Sequence, residues 1–219
     1  LRLFATLLAV AVLAGVAPPA AEAQAAHYVG QPGVVQASGS SNTFASPFAV
    51  FVDSTETYAY VADKANQRVV RVTINGGAET NVNLNSSTGF CSQPQGVVAD
   101  TSGNVYFTCA DTTTIYKATY SGGNYSVAAW YNNVQSGRGP RGMAINSSNN
   151  IYIAVQYNYS QGQNNQAYIL KCSTSASCST FYTFAVNTSS ANIQPQGLAV
   201  DSAGNLYISD IGTAGRCTS

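Results

Sequence analysis

The chain has 219 residues, with nine basic and nine acidic side chains, no net charge and only 8% charged residues. With no basic surplus to meet a phosphate backbone or an anionic bilayer, this balance argues against nucleic acid and membrane-surface partners. A single histidine, His27, leaves little for histidine-based chemistry.

At the amino end Arg2 precedes an apolar run over residues 3–16, then Pro18-Pro19 and Ala21-Glu22-Ala23. A basic residue, a short apolar stretch and a small-x-small site predict a secretory signal over residues 1–23, cleaved after Ala23. The run is short for an apolar core of ~30 Å and prolines follow it, so no membrane association is expected after cleavage. The location expected is secreted, extracellular or periplasmic. Residues 24–46 form an N-terminal segment whose part from Tyr28 onward is expected to supply a latching strand.

A phrase of the form Pro-x-Gly, with Ala49 in place of Gly in the first copy, an apolar run and Asp or Asn then returns four times: PFAVFVD from Pro47, PQGVVAD from Pro94, PRGMAIN from Pro140 and PQGLAVD from Pro195. The copies start 46, 47 or 55 residues apart, the period of a four-stranded propeller blade. Short Val, Ile, Tyr and Phe runs cut by Gly, Asn and Ser argue for strands rather than repeated helices. The units are 47–93, 94–139, 140–194 and an incomplete 195–219.

Each phrase leads into a turn. Asp100, Asn146 and Asp201 open three of them, and Gly103, Asn149 and Gly204 stand where positive φ is needed. The first unit has Asp53-Ser-Thr-Glu-Thr57, which predicts a turn built differently. Second strands then carry Tyr60, Tyr106, Tyr152 and Tyr207, and third strands over 69–73, 115–119 and 169–172 carry Arg71, Lys117 and Lys171. Tyr60 to Arg71 and Tyr106 to Lys117 each span eleven residues, but Tyr152 to Lys171 spans nineteen, so an eight-residue excursion is expected between second and third strands there. Strand cores such as VVA, MAI and LAV are apolar without alternation, as in sheets packed on both faces.

These phrases resemble the NHL repeat, which runs roughly Pro-x-Gly-Val-Ala-Val-Asp, then Gly-Asn-Val-Tyr-Val-Ala-Asp, then Asn-x-Arg-Val. The first unit carries Tyr60-Val-Ala-Asp63 and Asn66-Gln-Arg68-Val69; the third departs most, with Asn146 and Val155 at the two Asp places, and the second has Cys109 at the second of them. The resemblance covers residue 44 to the end. It implies an all-β fold, a β-propeller of four-stranded antiparallel blades, with about four blades present as a fragment of a six-bladed ring that would be a monomer when whole.

Cys172 and Cys178 flank a short hairpin turn, where opposed positions lie within disulfide range. Cys91 precedes the first strand of the second unit and Cys109 ends its second strand, so the two ends meet. Both bridges are expected, with Cys217 left over. No paired CxxC spacing or second histidine supports zinc. Sequons at Asn85, Asn124, Asn146, Asn158 and Asn187 are about as many as chance gives at this composition.

In a propeller the loops entering first strands and those joining second to third strands surround one mouth of the channel, the face to which the resemblance also assigns ligands. It would carry Phe48, Gln95, Arg141 and Gln196, the residues after the four prolines, together with Gln156, Tyr157 and Tyr159 of the excursion. Rings for stacking and amides for paired hydrogen bonds suit sugar or peptide backbone. The reading is an extracellular binding or scaffold module for a protein or polysaccharide ligand, with no catalytic residue and no cofactor assigned. Asp63, Asp111 and Asp210 fall near the same face and could hold Ca²⁺, although duty within the repeat accounts for Asp63 and Asp210. The alternative is a Ca²⁺-dependent lactonase or hydrolase of the gluconolactonase type, or a lyase. Fold alone does not decide between them.

Overall fold

The computed structural model describes residues 44–74, 79–82, 91–134, 139–156, 166–184 and 193–212. The signal sequence, Tyr28, Tyr157, Tyr159, Cys217 and the sequons at Asn85, Asn158 and Asn187 lie outside them. Among the described residues there are strands and turns and no helix, hence no helix long and apolar enough to cross a membrane.

Fourteen strands are described, in four antiparallel sheets. The first sheet comprises β1 (Pro47–Val52), β2 (Tyr58–Asp63), β3 (Arg68–Thr73) and β4 (Glu79–Val82). The second comprises β5 (Pro94–Ala99), β6 (Val105–Cys109), β7 (Ile115–Ser121) and β8 (Asn124–Tyr131). The third comprises β9 (Pro140–Ile145), β10 (Ile151–Val155), β11 (Tyr168–Cys172) and β12 (Cys178–Thr183), and β13 (Pro195–Val200) pairs with β14 (Leu206–Asp210). Strand order follows sequence order in every sheet, and successive first strands β1, β5, β9 and β13 lie beside one another. This is a β-propeller: up-and-down sheets, each a blade, packed face to face.

Three apolar clusters form the cores between blades. One joins Tyr60, Ala62 and Val69 of the first blade to Val97, Val105 and Phe107 of the second. Another joins Val98, Tyr106 and Ile115 to Met143, Ile151 and Ile153 of the third, and a smaller one joins Tyr152 and Ile169 to Leu198 and Ile208 of the fourth. All residues of β5, β6 and β10 are buried, which is why their sequences show no alternation.

Close approach of inner strands explains two of the phrase glycines. A Cβ on Gly96 would strike the Arg141 carbonyl oxygen, and one on Gly142 would strike the Gln196 carbonyl and come within 2.9 Å of the Gly197 Cα. Between the strands the buried Thr108 hydroxyl accepts the Gly96 N–H at 2.8 Å and donates to the Arg141 carbonyl at 2.5 Å.

The turns follow the side chains read from the sequence. Asp100 Oδ1 accepts the Ser102 and Asn104 N–H groups, Asn146 Oδ1 those of Ser148 and Asn150, and Asp201 Oδ1 that of Asn205. Gly103, Asn149 and Gly204 have φ of 79°, 58° and 88°. The first blade's turn is indeed different: Asp53 N–H bonds Tyr58 five residues on rather than four, and Glu56 takes the positive φ of 54°. Tyr60 pairs with Arg71, Tyr106 with Lys117 and Tyr152 with Lys171 in register, so the extra residues of the third blade lie between β10 and β11.

Candidate functional site: the Pro-x-Gly end of the blades

Every first strand is irregular at the same place. Pairing shifts register between Pro47 and Ala49, between Pro94 and Val97, opposite the stretch from Ile153 to Val155 on β9, and between Pro195 and Gly197. The prolines pair with Asp63, Cys109, Val155 and Asp210, at the end where the loops from second to third strands emerge. A β-bulge leaves a residue out of the ladder and re-aims its side chain. The residues so released are Phe48, Gln95, Arg141 and Gln196, one from each of four adjacent inner strands.

Three of the expected residues meet. Arg141 Nε donates to Gln156 Oε1 at 2.7 Å, and Gln156 Nε2 donates to Gln196 Oε1 at 2.8 Å. Gln156 is held for this by its own N–H, which bonds the Gly139 carbonyl at 3.2 Å. Arg141 folds over Gly139 so closely that a Cβ there would lie 2.8 Å from Nη1. Burial pushes the Arg141 guanidinium below its ordinary pKa. Among the described residues Nη1 has no hydrogen-bond partner, and neither has Oε1 of Gln95, which is only 7% exposed. Phe48 stands apart as an exposed ring, with the Lys64 ammonium 5.5 Å from its centroid.

The three aspartates hold the chain entering the first, second and fourth blades. Asp63, fully buried, accepts the Ala45 N–H at 2.7 Å, the Asn66 amide at 2.7 Å and Arg68 Nε at 2.8 Å. Asp210 accepts the Gln194 and Gly212 N–H groups at 2.7 and 2.8 Å. Asp111 accepts the Ser92 N–H at 3.3 Å and the Ser92 hydroxyl. Asp63 thus uses both carboxylate oxygens within the blade, whereas Asp111 and Asp210 each use one. In the second blade Cys109 occupies the Asp place and is bridged to Cys91, with Cα atoms 5.6 Å apart. Cys172 and Cys178 are paired residues of β11 and β12 and form the other bridge. Among the described residues one trio of potential ligands, Cys91, Cys109 and Asp111, clusters within 4.8 Å. Its two sulfurs are bonded to each other, so it offers no thiolate.

Sequence reasoning missed a cleft of about 470 Å³ at the same end, lined by Ser46, Lys64, Ala65, Gln67, Ser92 and Gln93. Gln67 was visible as part of the Asn66-Gln67-Arg68 signature, but its φ of 54°, which opens the turn, carries no Gly or Asn signal. The Arg141–Gln156–Gln196 row was also invisible as a row, since its members lie 15 and 40 residues apart.

A beta-propeller repeat family model matches residues 186–209. No curated protein matches the chain. Among solved structures, a virginiamycin B lyase from Staphylococcus aureus is 18% identical at a TM-score of 0.55, over 78% of this chain and 51% of that one. A nidogen–laminin complex gives 15% and 0.60, over 78% and 59%, and a gluconolactonase from Xanthomonas campestris gives 13% and 0.51, over 74% and 55%. The chain therefore spans between half and three-fifths of the length of these structures, and at such identities the likeness is one of fold. Two disulfides belong to an oxidising compartment and indicate a non-cytoplasmic protein.

Proposed function

We propose that the chain is a secreted binding module of the NHL-repeat type, which presents the Pro-x-Gly end of its blades to an extracellular protein or carbohydrate. The observation that carries this reading is the repeated bulge, which frees one side chain per blade at the same end and leaves Arg141, Gln156 and Gln196 hydrogen-bonded in a row. Bulges are features of sites where a side chain is re-aimed, and a row of amides with one guanidinium suits polar, uncharged or singly charged groups. The second reading is a metal-dependent hydrolase or lyase, kept because structural neighbours include a lyase and a gluconolactonase. Against it, both oxygens of Asp63 are engaged, by the Ala45 N–H and by Asn66 and Arg68, and Asp210 holds two backbone N–H groups on one oxygen.

The test is a glycan and peptide array probed with the wild-type protein and with a variant lacking residues 161–166. Retained signal on some feature, weakened by the deletion while thermal unfolding is unchanged, is the expected result. Signal that is indifferent to the deletion counts against this end of the propeller as the binding face.

A further inference from the structure

The two disulfides sit in opposite surroundings. Cys91 and Cys109 are 1% and 0% exposed, within the core between first and second blades, so an external thiol meets neither sulfur in the folded protein. Cys172 and Cys178 join β11 to β12 at the end of the third blade far from Pro140, and there Cys178 is only half-buried, with Ser177 and Ser179 exposed on either side. Exposed bridges are the ones that thiols open most readily. The turn that this bridge closes, Ser173 to Ser177, has residues ill suited to its backbone. The matching hairpin of the second blade turns through Gly122 and Gly123, with φ of 58° and 88°. In the third blade the positive φ, 64°, falls on Ala176, whose Cβ disfavours it and whose side chain has no hydrogen bond to give in return. Such a residue persists where its surroundings over-determine it. Ala176 N–H bonds the Ser173 carbonyl and Ser173 N–H the Ser177 carbonyl, both at 3.0 Å, in a loop whose two ends the bridge ties together.

The same turn serves the neighbouring blade. Trp130 is the residue left out of the ladder on β8, where Tyr116 pairs with Ala129 and Ile115 with Tyr131. Its ring stands edge-on to Tyr106, and its Nε1–H donates to the Thr174 carbonyl at 3.1 Å. Phe181 is left out of the ladder at the equivalent place on β12, edge-on to Tyr152 at 5.3 Å, and is 52% exposed, whereas Trp130 is half-buried. We propose that the Cys172–Cys178 bridge is a redox-sensitive latch: closed, it holds the 173–177 turn on Trp130, and opened by a low-molecular-weight thiol it releases that turn and with it the outer contact between second and third blades. An external thiolate attacks Cys178 Sγ, forming a mixed disulfide and displacing Cys172 as a thiolate, which takes up a proton. A second thiol, on the same or another reductant molecule, attacks the reductant's sulfur in the mixed disulfide. Cys178 leaves and is protonated in turn, and the two reductant sulfurs end joined as a disulfide, having supplied two electrons to the protein.

The experiment is reduction of the native wild-type protein by rising dithiothreitol, without denaturant and with any free thiol alkylated beforehand. Freed cysteines are mapped by a second alkylation of different mass, and the fluorescence of Trp130, the sole tryptophan, is read in parallel. Cys172 and Cys178 should be labelled at dithiothreitol levels that leave Cys91 and Cys109 bridged. Over the same range the emission should shift to the red and become more easily quenched by acrylamide, and reoxidation should reverse both. Cys172→Ser together with Cys178→Ser should show the shifted emission with no reductant, and adding Ala176→Gly, which suits the positive φ, should return part of the shift. The wild-type titration needs no variant and stands as a test if the double variant fails to fold. Emission that does not move when Cys172 and Cys178 are fully labelled overturns the latch. So does labelling of Cys91 and Cys109 first or at the same level, or no labelling short of unfolding. A shift that Ala176→Gly leaves whole overturns the role given to Ala176.

Discussion

The tyrosine that recurs in each second strand is a good place to see how a residue type is fixed by two jobs. Tyr106 is buried in the core between second and third blades, with the Trp130 ring edge-on at 4.9 Å and the Lys117 ammonium 5.3 Å from its centroid. Its hydroxyl donates to Asp100 Oδ2 at 3.0 Å and so ties the strand to the turn before it. Tyr207 makes the same bond to Asp201 at 3.1 Å. Desolvation, followed by the Asp100 charge, pushes the Tyr106 phenol well above its usual pKa. A pKa raised on folding means the neutral phenol stabilises the fold below the unfolded value of about 10, and that contribution is lost as pH rises through the folded value. Tyr106→Phe keeps the ring and removes the hydroxyl; it should cost about 1 kcal/mol at neutral pH. Because phenylalanine does not titrate, the gap between wild type and variant should narrow above pH ~10. Denaturant unfolding of both proteins at neutral and alkaline pH would check this, and a gap that stays constant or widens speaks against it. The residue's presence was legible from the repeat; its partner was not, because the sequence shows the Asp only as a turn former.

At the scale of the element, the end of each second strand shows one requirement met alike in every copy and reinforced in different ways. The chain entering the blade is tied to that end by a backbone bond in every copy, Ala65 to Ala45, Ala110 to Gln93, Gln156 to Gly139 and Ile211 to Gln194; Asp63 and Asp210 add side-chain hydrogen bonds in the first and fourth blades, and the second adds the Cys91–Cys109 bridge and Asp111, while the third has Val155 at that place. Both disulfides could be read from the sequence, since strand ends that meet and short hairpins are consequences of antiparallel pairing. The bulges could not: Pro-x-Gly marks the spot, but the register shift depends on how the inner strands pack against one another. The two bridges should differ in worth. Cys91 and Cys109 are 18 residues apart and both buried in the first core, whereas Cys172 and Cys178 are only six apart. Loop-closure entropy alone assigns about 3 kcal/mol to a bridge of roughly the longer span and less to the shorter. Replacing Cys91 and Cys109 together by alanine should therefore lower stability by about that amount, and more than the Cys172/Cys178 double replacement. Thermal melts of the two double variants decide it, and equal losses or the reverse order would contradict it.

Across the whole molecule, stability is divided among interfaces between neighbouring blades, as in other stacked repeats. The same repeat position shows this directly. Val50, Val97 and Met143 occupy equivalent places in β1, β5 and β9, yet Val50 is 67% exposed while Val97 and Met143 are 3% and 7% exposed. Nothing in the three phrases distinguishes them, since each reads as a strand core; what separates them is whether the next sheet covers that face. The blade period and the strands were thus readable one unit at a time, but the Arg141–Gln156–Gln196 row and the burial of each copy are properties of neighbours and have no local signal. Truncating the same side chain in two copies separates the contributions. Val97→Ala removes two buried methyl groups from the core shared with Tyr60, Ala62 and Val69 and should cost about 2 kcal/mol. Val50→Ala should fall within about 0.5 kcal/mol of wild type, as exposed substitutions do. Urea unfolding of the two variants at one protein concentration measures the difference. Equal costs would mean that the face of β1 is covered in solution and that burial at this position does not follow the order of the blades.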